Sequence, residues 1–415
     1  MLVVLKKGRE DMKAVGLIVE YNPFHNGHAY HLQAAREASE ADVVIAVMSG
    51  NFLQRGEPAL VSKWQRTKMA LLNGVDIVFE LPYCFATQKA ETFANGAVSM
   101  LDAAGTNYLC FGSESGELSS FLQTIDYLDE KQNTFNENIK QYIDTGVSYP
   151  KALALAFRQL PDSERYLDLA KPNNILGLEY IKAIKHQKST LIPMTIPRKN
   201  ANYHDQEFSS ATIASATSIR KAIFTDSDEK SAIDQYVPEQ TLQLLKEYLQ
   251  SYQVFHQWEN YWSYLQFRLI HASPEELREI YEMEEGLEYR LLSAAREADT
   301  FHEFMQKIKT KRYTWTRLQR LCVHILTNTK KEDMALISEK ASYLRLLGMT
   351  SKGREYLNKT KSHLSLPIIS KLSSFKGKEV HPDIKAARIY SLGIPSHLKA
   401  KMIRQEFEQP PIYIS

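Results

Sequence analysis

The most informative stretch of the sequence is Val15-Gly16-Leu17-Ile18-Val19, followed directly by Glu20-Tyr21-Asn22-Pro23-Phe24-His25-Asn26-Gly27-His28. The first part is an unbroken apolar run, which is typical of a strand buried on both faces of a parallel sheet. A helical pattern from Ala29 to Glu40 follows the second part. In a doubly wound sheet, a turn between the first strand and the first helix lies over the ligand crevice.

Three more apolar runs alternate with helical patterns along the chain. The predicted strands are Asp42–Met48, Asp76–Pro82 and Tyr108–Gly112, and the predicted helices between them are Val61–Asn73 and Phe93–Ala104. This βαβ succession predicts an α/β fold, a Rossmann-like doubly wound parallel sheet over residues 12–225. Strand signals fade after Asp226, and long stretches such as Glu275–Lys309 and Glu332–Leu347 have helical patterns. Residues 226–415 are therefore predicted to form a mainly α-helical C-terminal domain, with Asp226–Glu229 as the linker.

Composition excludes several classes of protein. Hydrophobic residues make up 44% and charged residues 24% of the 415 positions, as in an ordinary globular protein, and no apolar run is long enough to cross a membrane. The three cysteines, Cys84, Cys110 and Cys322, lack the spacing of a disulfide framework or a zinc cluster, so a reducing cytoplasm is the expected location. Residues 1–11 do not have the pattern of a secretory signal, and we expect them to be a dispensable leader before Met12.

The charge is unevenly distributed along the chain. From residue 304 onward, 22 Lys and Arg stand against 8 Asp and Glu, a net charge of +14, whereas the preceding part carries −12. Like charges on one module repel each other, and nucleic acid is the anionic partner that such a module most often binds. The segment Lys307–Arg317 also interleaves Tyr313 and Trp315 with cations, as in surfaces that stack bases. A lysine-rich solvated helical surface is the alternative interpretation.

The spacing His25-x-Gly27-His28 suits phosphate binding. Glycine lets the backbone approach an anion closely, and the helix that follows offers free N–H groups and a positive dipole end. Two imidazoles at positions i and i+3 can both donate hydrogen bonds to charge that develops on a triphosphate. A hydrogen-bonded pair without a chemical role and a zinc site are the alternatives, although no further ligands at metal spacing join the pair.

A second polar segment is Ser215-Ala216-Thr217-Ser218-Ile219-Arg220-Lys221. Ser215 or Thr217 can cap the helix predicted from Ile219 to Phe224, while Ser218, Arg220 and Lys221 can reach phosphate oxygens. Helix capping alone would explain the hydroxyl groups but not the adjoining cations.

These motifs together resemble the nucleotidylyltransferase superfamily and, within it, the bacterial tRNA(Met) cytidine acetate ligases. The resemblance is carried by Val19–His28, Met48–Pro58, Phe111–Glu114 and Lys171–Gly177. It implies a two-step reaction in which ATP and acetate give acetyl-adenylate and pyrophosphate. The acetyl group then passes to the exocyclic amine of the wobble cytidine of elongator tRNA(Met). The alternatives are a small-molecule nucleotidylyltransferase that makes a cofactor precursor and a nucleotide-sensing RNA-binding protein.

The resemblance also implies roles for individual residues. We expect catalytic roles for His25, His28 and Arg220. The predicted ATP-binding residues are Ile18, Val19, Glu20, Tyr21, Asn22, Pro23, Phe24, His25, Asn26, Gly27, His28, His31, Gly112, Asn173, Arg198 and Ser218. For Asn173 a plain helix cap, and for Arg198 an exposed loop cation, are the alternatives.

The loop Ser49–Pro58 is the second predicted part of the site. Its Asn51, Gln54 and Arg55 could bind acetate or position the cytidine, or they could simply hold the loop together. The expected partners are ATP with Mg²⁺, acetate and tRNA(Met), with no metal ligands from the protein, no membrane, and no protein partner that the sequence reveals.

Overall fold

The structure is a computed structural model that describes residues 12–198, 213–225, 233–335 and 337–415. The strands in these ranges are β1 (Ala14–Val19), β2 (Val43–Ser49), β3 (Ile77–Leu81), β4 (Tyr108–Ser113), β5 (Ile192–Pro197), β6 (Leu344–Thr350), β7 (Ile368–Ile369) and β8 (Ile412–Ile414). The helices of the first half are α1 (Asn26–Ser39), α2 (Lys63–Leu72), α3 (Tyr83–Ala86), α4 (Ala90–Ala103), α5 (Leu118–Glu130), α6 (Gln132–Asp144), α7 (Tyr149–Arg158), α8 (Pro172–Gln187) and α9 (Ala216–Phe224). Those of the second half are α10 (Glu239–Tyr252), α11 (Trp262–His271), α12 (Pro274–Arg278), α13 (Leu287–Glu297), α14 (Phe301–Ile308), α15 (Trp315–Leu326), α16 (Lys331–Ala335), α17 (Ser351–Thr360), α18 (His381–Tyr390) and α19 (Ser396–Glu408).

The sheet has the strand order β5-β4-β1-β2-β3-β6-β7, and β8 pairs with β6. Strands β1 to β5 run parallel to one another. The chain moves outward from β1 through β2 to β3 on one side, and β4 then returns to the other side of β1. The strand order therefore reverses between β1 and β4, which is where open α/β sheets place their ligand crevice.

Both faces of the sheet are buried, as the apolar runs predicted. In β2, Val44 and Met48 belong to one hydrophobic core, and Val43 and Val47 belong to the core on the opposite face. Side chains alternate between the faces of a strand, so a strand covered on both sides must be apolar throughout. The predicted α/β fold class, with a helical C-terminal region, is confirmed.

The prediction of a helix from Glu332 to Leu347 is wrong. Among the described residues of this stretch, only those of α16 are helical. The stretch ends in β6, which joins the sheet together with β7 and β8. Strand β6 lies antiparallel to β3, where Leu344 and Leu347 are buried. The local apolar pattern did not distinguish a short buried strand from a helix, and the choice depends on pairing with β3, far away in the sequence.

The stretch Glu275–Lys309 is largely helical, as predicted. Three helices, α12, α13 and α14, occupy it, and Gly286 at φ +84° precedes α13. The proposed division at residue 226 stays a prediction, although the two parts share the sheet through β6. The leader 1–11 and the linker Asp226–Glu229 lie outside the described residues.

Candidate active site

A cavity of about 310 Å³ opens at the carboxyl ends of the central strands. The turn after β1, the end of β4 and the segment after β5 supply its walls, so it lies at the point where the strand order reverses. The loop after β2 and the start of α9 complete it. Residues predicted for the site that line the cavity are Ile18, Val19, Glu20, Tyr21, Asn22, His25, Gly27, His28, His31, Gln54, Arg55, Gly112, Asn173, Arg198, Ser215, Thr217 and Arg220.

The turn after β1 is organised around the two histidines. His25 is the N-cap of α1, and its Nδ1 accepts the Gly27 N–H at 3.1 Å. In return, the His25 N–H donates to Nδ1 of His28 at 3.3 Å. The two rings stack with their centroids 3.7 Å apart. A Cβ atom at residue 27 would lie 2.9 Å from the His25 ring, so glycine is needed for the cap to form.

The three histidines of the cavity are neutral near pH 7. Burial, reinforced by the Arg198 and Arg220 cations, lowers the pKa of His25 to about 3. Burial and Arg198 lower the pKa of His31 to about 4, and burial, His25 and Arg198 lower that of His28 well below its usual range. Because backbone N–H groups occupy Nδ1 of both His25 and His28, each neutral ring carries its proton on Nε2. The pair therefore presents two N–H donors.

Arg198 and Asn173 meet on the opposite wall. The Asn173 amide donates to the Glu114 carboxylate at 2.8 Å, and the Arg198 guanidinium donates to the Asn173 side-chain oxygen at 3.5 Å. Asn173 lies one residue inside α8, whose N-cap is Lys171, so its side chain is not the helix cap. A Cβ atom at Gly112 would lie 3.4 Å from the Arg198 side chain, and the bare backbone leaves this wall open.

The segment before α9 divides into capping and cavity residues. The Ser215 hydroxyl accepts the Ser218 N–H at 3.0 Å, and the Ser218 hydroxyl donates to the Ser215 carbonyl at 2.9 Å. Ser218 is buried and is not among the residues that line the cavity, and its contact with phosphate stays a prediction. Arg220 does line the cavity, where it donates to the Asn22 carbonyl at 3.0 Å and pairs with Glu57 at 2.7 Å.

The loop Ser49–Pro58 contains two residues that line the cavity and one that holds the loop together. Gln54 and Arg55 line the cavity, whereas the Asn51 side chain accepts the Lys63 N–H at 3.3 Å and holds the loop. The Gln54 N–H donates to the Glu20 carboxylate at 2.8 Å. Burial raises the pKa of Glu20, and the Gln54 N–H and Arg55 partly oppose that shift.

Three residues of the predicted ATP-binding segment support the turn and do not line the cavity. They are Pro23, Phe24 and Asn26. Phe24 is fully buried in the core. The Asn26 backbone N–H donates to the Tyr236 carbonyl, and its side chain donates to the Gln235 carbonyl, each at 2.9 Å.

Sequence reasoning missed Arg66, a fully buried cation of α2. Its guanidinium donates to the carbonyls of Glu20 at 2.6 Å, Ser49 at 3.0 Å and Gly50. It thereby ties the end of β1 to the loop after β2. No local pattern marks it, because an arginine within an amphipathic helix usually faces solvent. The apolar wall, formed by Phe93, Phe111, Leu176 and Tyr180, was also missed.

Part of the basic segment Lys307–Arg317 has partners within the protein. Tyr313 is buried, and its hydroxyl donates to Glu284 at 2.8 Å. Arg317 pairs with the same carboxylate at 2.5 Å, and Lys307 pairs with Glu297 at 3.2 Å. Tyr313 therefore serves packing, whereas Trp315 is only partly buried, and binding of RNA by this segment stays a prediction.

Two properties concern the part of the chain that the structure describes. It has no helix with both the length and the hydropathy that crossing a membrane requires. It also has no group of three or more histidine, cysteine or carboxylate side chains arranged to hold a metal ion.

Comparisons with known proteins agree with this geometry. The family model of the HIGH nucleotidyl transferases matches residues 12–406. The tRNA(Met) cytidine acetate ligase of Bacillus subtilis (strain 168) is 49% identical over 405 residues, which cover 97% of each chain. That of Bacillus cereus (strain AH187) is 49% identical over 383 residues, covering 92% of this chain and 98% of the relative.

Two solved structures extend the likeness to three dimensions. The apo crystal structure of Thermotoga maritima TmcAL (form I) has a TM-score of 0.89 and 33% identity, covering 97% of this chain and 100% of its own. The structure of the same protein bound with alpha-thio ATP has a TM-score of 0.87 with the same coverage. The chain therefore belongs to the tRNA(Met) cytidine acetate ligase family of HIGH nucleotidyl transferases.

Proposed function

We propose that the protein activates acetate with ATP and transfers the acetyl group to the exocyclic amine of the wobble cytidine of elongator tRNA(Met), forming N4-acetylcytidine. The observation that carries the proposal is the cavity in which two neutral histidine donors, His25 and His28, face the same space as Arg198 and Arg220. This set suits a reaction that builds negative charge on phosphate oxygens. The names of the relatives and the nucleotide bound by the Thermotoga maritima structure support the choice of substrates.

In the first step an acetate oxygen attacks the α-phosphorus of ATP. A new P–O bond forms, the bond to the bridging oxygen breaks, and pyrophosphate leaves with the electron pair. Acetate is already an anion at neutral pH, so the site needs alignment and charge stabilisation more than a strong base. We assign the two Nε2–H groups of His25 and His28 to the α-phosphoryl oxygens and the leaving group. Arg198 and Arg220 neutralise the charge that remains.

In the second step the cytidine amine attacks the acetyl carbonyl carbon, and AMP leaves. The amine loses one proton as the amide bond forms. The target base must be removed from its stack to reach the cavity. We place it near Gln54 and Arg55, because this loop forms the wall on the side of the helical region, and the +14 charge of residues 304–415 favours RNA there.

A divalent ion would arrive with the nucleotide. The described carboxylates that line the cavity are Glu20 and Glu57, and both are engaged, by the Gln54 N–H and by Arg220. Both of these described carboxylates already have partners, so we propose that Mg²⁺ would be held mainly by the phosphates and water. The cytoplasm, which supplies ATP and tRNA, is the proposed location.

The test uses purified protein with ATP, labelled acetate and tRNA(Met). We expect acetate-dependent exchange of pyrophosphate into ATP and base-labile label on the RNA. The His28→Ala variant should lose exchange while keeping tRNA affinity, and His186→Ala, at an exposed histidine of α8, is the matched control. Exchange that ignores acetate and responds to a phosphorylated metabolite would instead identify a small-molecule nucleotidylyltransferase.

A further inference from the structure

Helix α11 presents an exposed aromatic face. Phe267 is 70% exposed, and Ile270 is 59% exposed. Tyr264, Phe267 and His271 are spaced three and four residues apart, so they share one side of the helix, and the Phe267 and His271 rings stack at 5.9 Å. The opposite side, with Leu265 and Leu269, is buried. An aromatic ring this exposed has given up much of the stabilisation that burial provides, and it is available to a partner.

Cations from two other helices border this aromatic face. Lys399 of α19 donates to the Tyr264 hydroxyl at 2.7 Å and lies 5.1 Å from the centre of its ring. Arg268 of α11 donates to the Asn328 side chain at 3.2 Å, and Lys385 of α18 donates to the carbonyl of the same asparagine at 3.3 Å. Arg388 lies one helical turn beyond Lys385 and is exposed. We call Tyr264, Phe267, Arg268, Lys385, Arg388 and Lys399 the α11–α18 face.

The charge of this face is not neutralised within the protein. Among the described residues, none of its four cations forms an ion pair with a carboxylate. In the segment Lys307–Arg317, by contrast, Lys307, Arg312 and Arg317 pair with glutamates. Lys309 and Lys311 of that segment form no ion pair with a described carboxylate. A cation that is already paired has less to gain from a phosphate, because it must first give up its partner.

The segment before α11 and the end of α18 contact the chain that follows β2, part of which lines the cavity. Trp258, four residues before α11, donates from its indole N–H to the Gly56 carbonyl at 2.9 Å. Tyr390, the last residue of α18, donates to the Ala59 carbonyl at 2.7 Å. Phe267 lies nine residues beyond Trp258, about 15 Å along helical backbone. A chain of stacked nucleotides, at about 3.4 Å each, covers that distance with a few residues.

We propose that the α11–α18 face binds a single-stranded RNA loop, with Phe267 stacking on a base a few nucleotides away from the one under reaction and the four cations holding the RNA phosphates. Single-stranded RNA is recognised by aromatic stacking combined with cations along the backbone, and this face has both. The proposal rests on the proposed function, because it assigns the surface that presents the target cytidine to the cavity.

The test compares two variants with matched controls. Phe267→Ala should weaken tRNA(Met) affinity roughly 5- to 150-fold, the range for the loss of one base–aromatic stack. The double variant Lys385→Glu/Arg388→Glu should weaken binding and flatten the slope of log affinity against log salt by roughly 1.4, or 0.7 for each lost phosphate contact. Tyr413→Ala, which removes a 47% exposed ring, and Lys140→Glu/Lys151→Glu, which reverses two exposed lysines on α6 and α7, are the controls.

All variants should keep the ATP affinity and thermal stability of the parent protein, because the changed side chains are exposed. Unchanged tRNA affinity in both face variants would overturn the proposal, and a protein partner would then be the better occupant of the apolar residues. An equal loss in the controls, or a loss of ATP affinity, would overturn it as well. The proposed function fails separately, if the parent protein itself transfers no label from acetate to RNA.

Discussion

The observed role of His25 as a helix cap and its proposed role as a phosphate donor can be separated by substitution. Its Nδ1 accepts the Gly27 N–H at 3.1 Å, a bond that an asparagine side-chain oxygen can also accept at an N-cap. His25→Asn should therefore leave the free energy of unfolding within about 0.5 kcal/mol of the parent value. His25→Ala loses the cap, and it should cost about 1 kcal/mol.

Catalysis should respond differently, because both substitutions remove the Nε2–H donor. The loss of one such donor to developing phosphate charge typically slows the step by roughly 10²- to 10³-fold, or about 2.7–4 kcal/mol. We expect His25→Asn and His25→Ala to show the same large loss of acetate-dependent pyrophosphate exchange. The loss of stability in the alanine variant is too small to account for it.

The assay pairs the exchange rate at saturating ATP and acetate with thermal denaturation of each variant. His186→Asn, at an exposed position of α8, controls for the loss of a histidine. If His25→Asn exchanges pyrophosphate as fast as the parent protein, His25 is only a cap and the assignment of its Nε2–H to phosphate is wrong. The same conclusion would follow if the exchange rates of the parent protein, His25→Asn and His25→Ala fell in proportion to their thermal stability.

Three further predictions concern stability. As the pH falls from about 6.5 towards 4, His25 and His31 become protonated in the unfolded chain. In the folded protein they stay largely neutral, because their pKa values are lowered to about 3 and about 4. The free energy of unfolding should therefore drop by up to about 1.4 kcal/mol per pH unit for each histidine, and urea titrations of the parent protein and His31→Asn should show the difference in slope. Gly56→Ala should cost about 1–3 kcal/mol in thermal unfolding, because residue 56 has φ +74° and its new Cβ would lie 2.3 Å from the Arg320 backbone; no loss would mean that the loop moves freely. Lys63→Met should cost about 3–5 kcal/mol in urea unfolding, because Lys63 bridges the buried carboxylates of Glu80 and Glu406 at 2.7 Å each. Arg345 pairs with the same two carboxylates, and a neutral effect would mean that this arginine alone compensates their charge.

The parallel core of the sheet could be predicted because its cause is local. Each strand from β1 to β4 is an apolar run, and glycines in the left-handed region follow α2 and α4, at Gly74 with φ +103° and Gly105 with φ +73°. The turn with His25 and His28 was equally visible, because the cap, the glycine and the helix that follows all lie within a few residues. Cavity residues such as Gly112, Asn173 and Arg198 were predicted only from the resemblance to a family.

The rest depended on contacts between distant parts of the chain. β6 became a strand because β3 offered an open edge, and Arg66 could be buried beside the site because four backbone carbonyls accept from its guanidinium. Tyr313 could not be assigned from its basic surroundings, because Glu284 lies on a different segment.

The sequence by itself therefore determined the fold class, the position of the crevice and the histidine pair, since short-range periodicity and turn chemistry specify them. Only the tertiary structure decided which cations remain free for a partner. Whether an arginine or a lysine meets a carboxylate or solvent depends on residues brought together by packing, and that juxtaposition is not encoded at any fixed spacing in the chain.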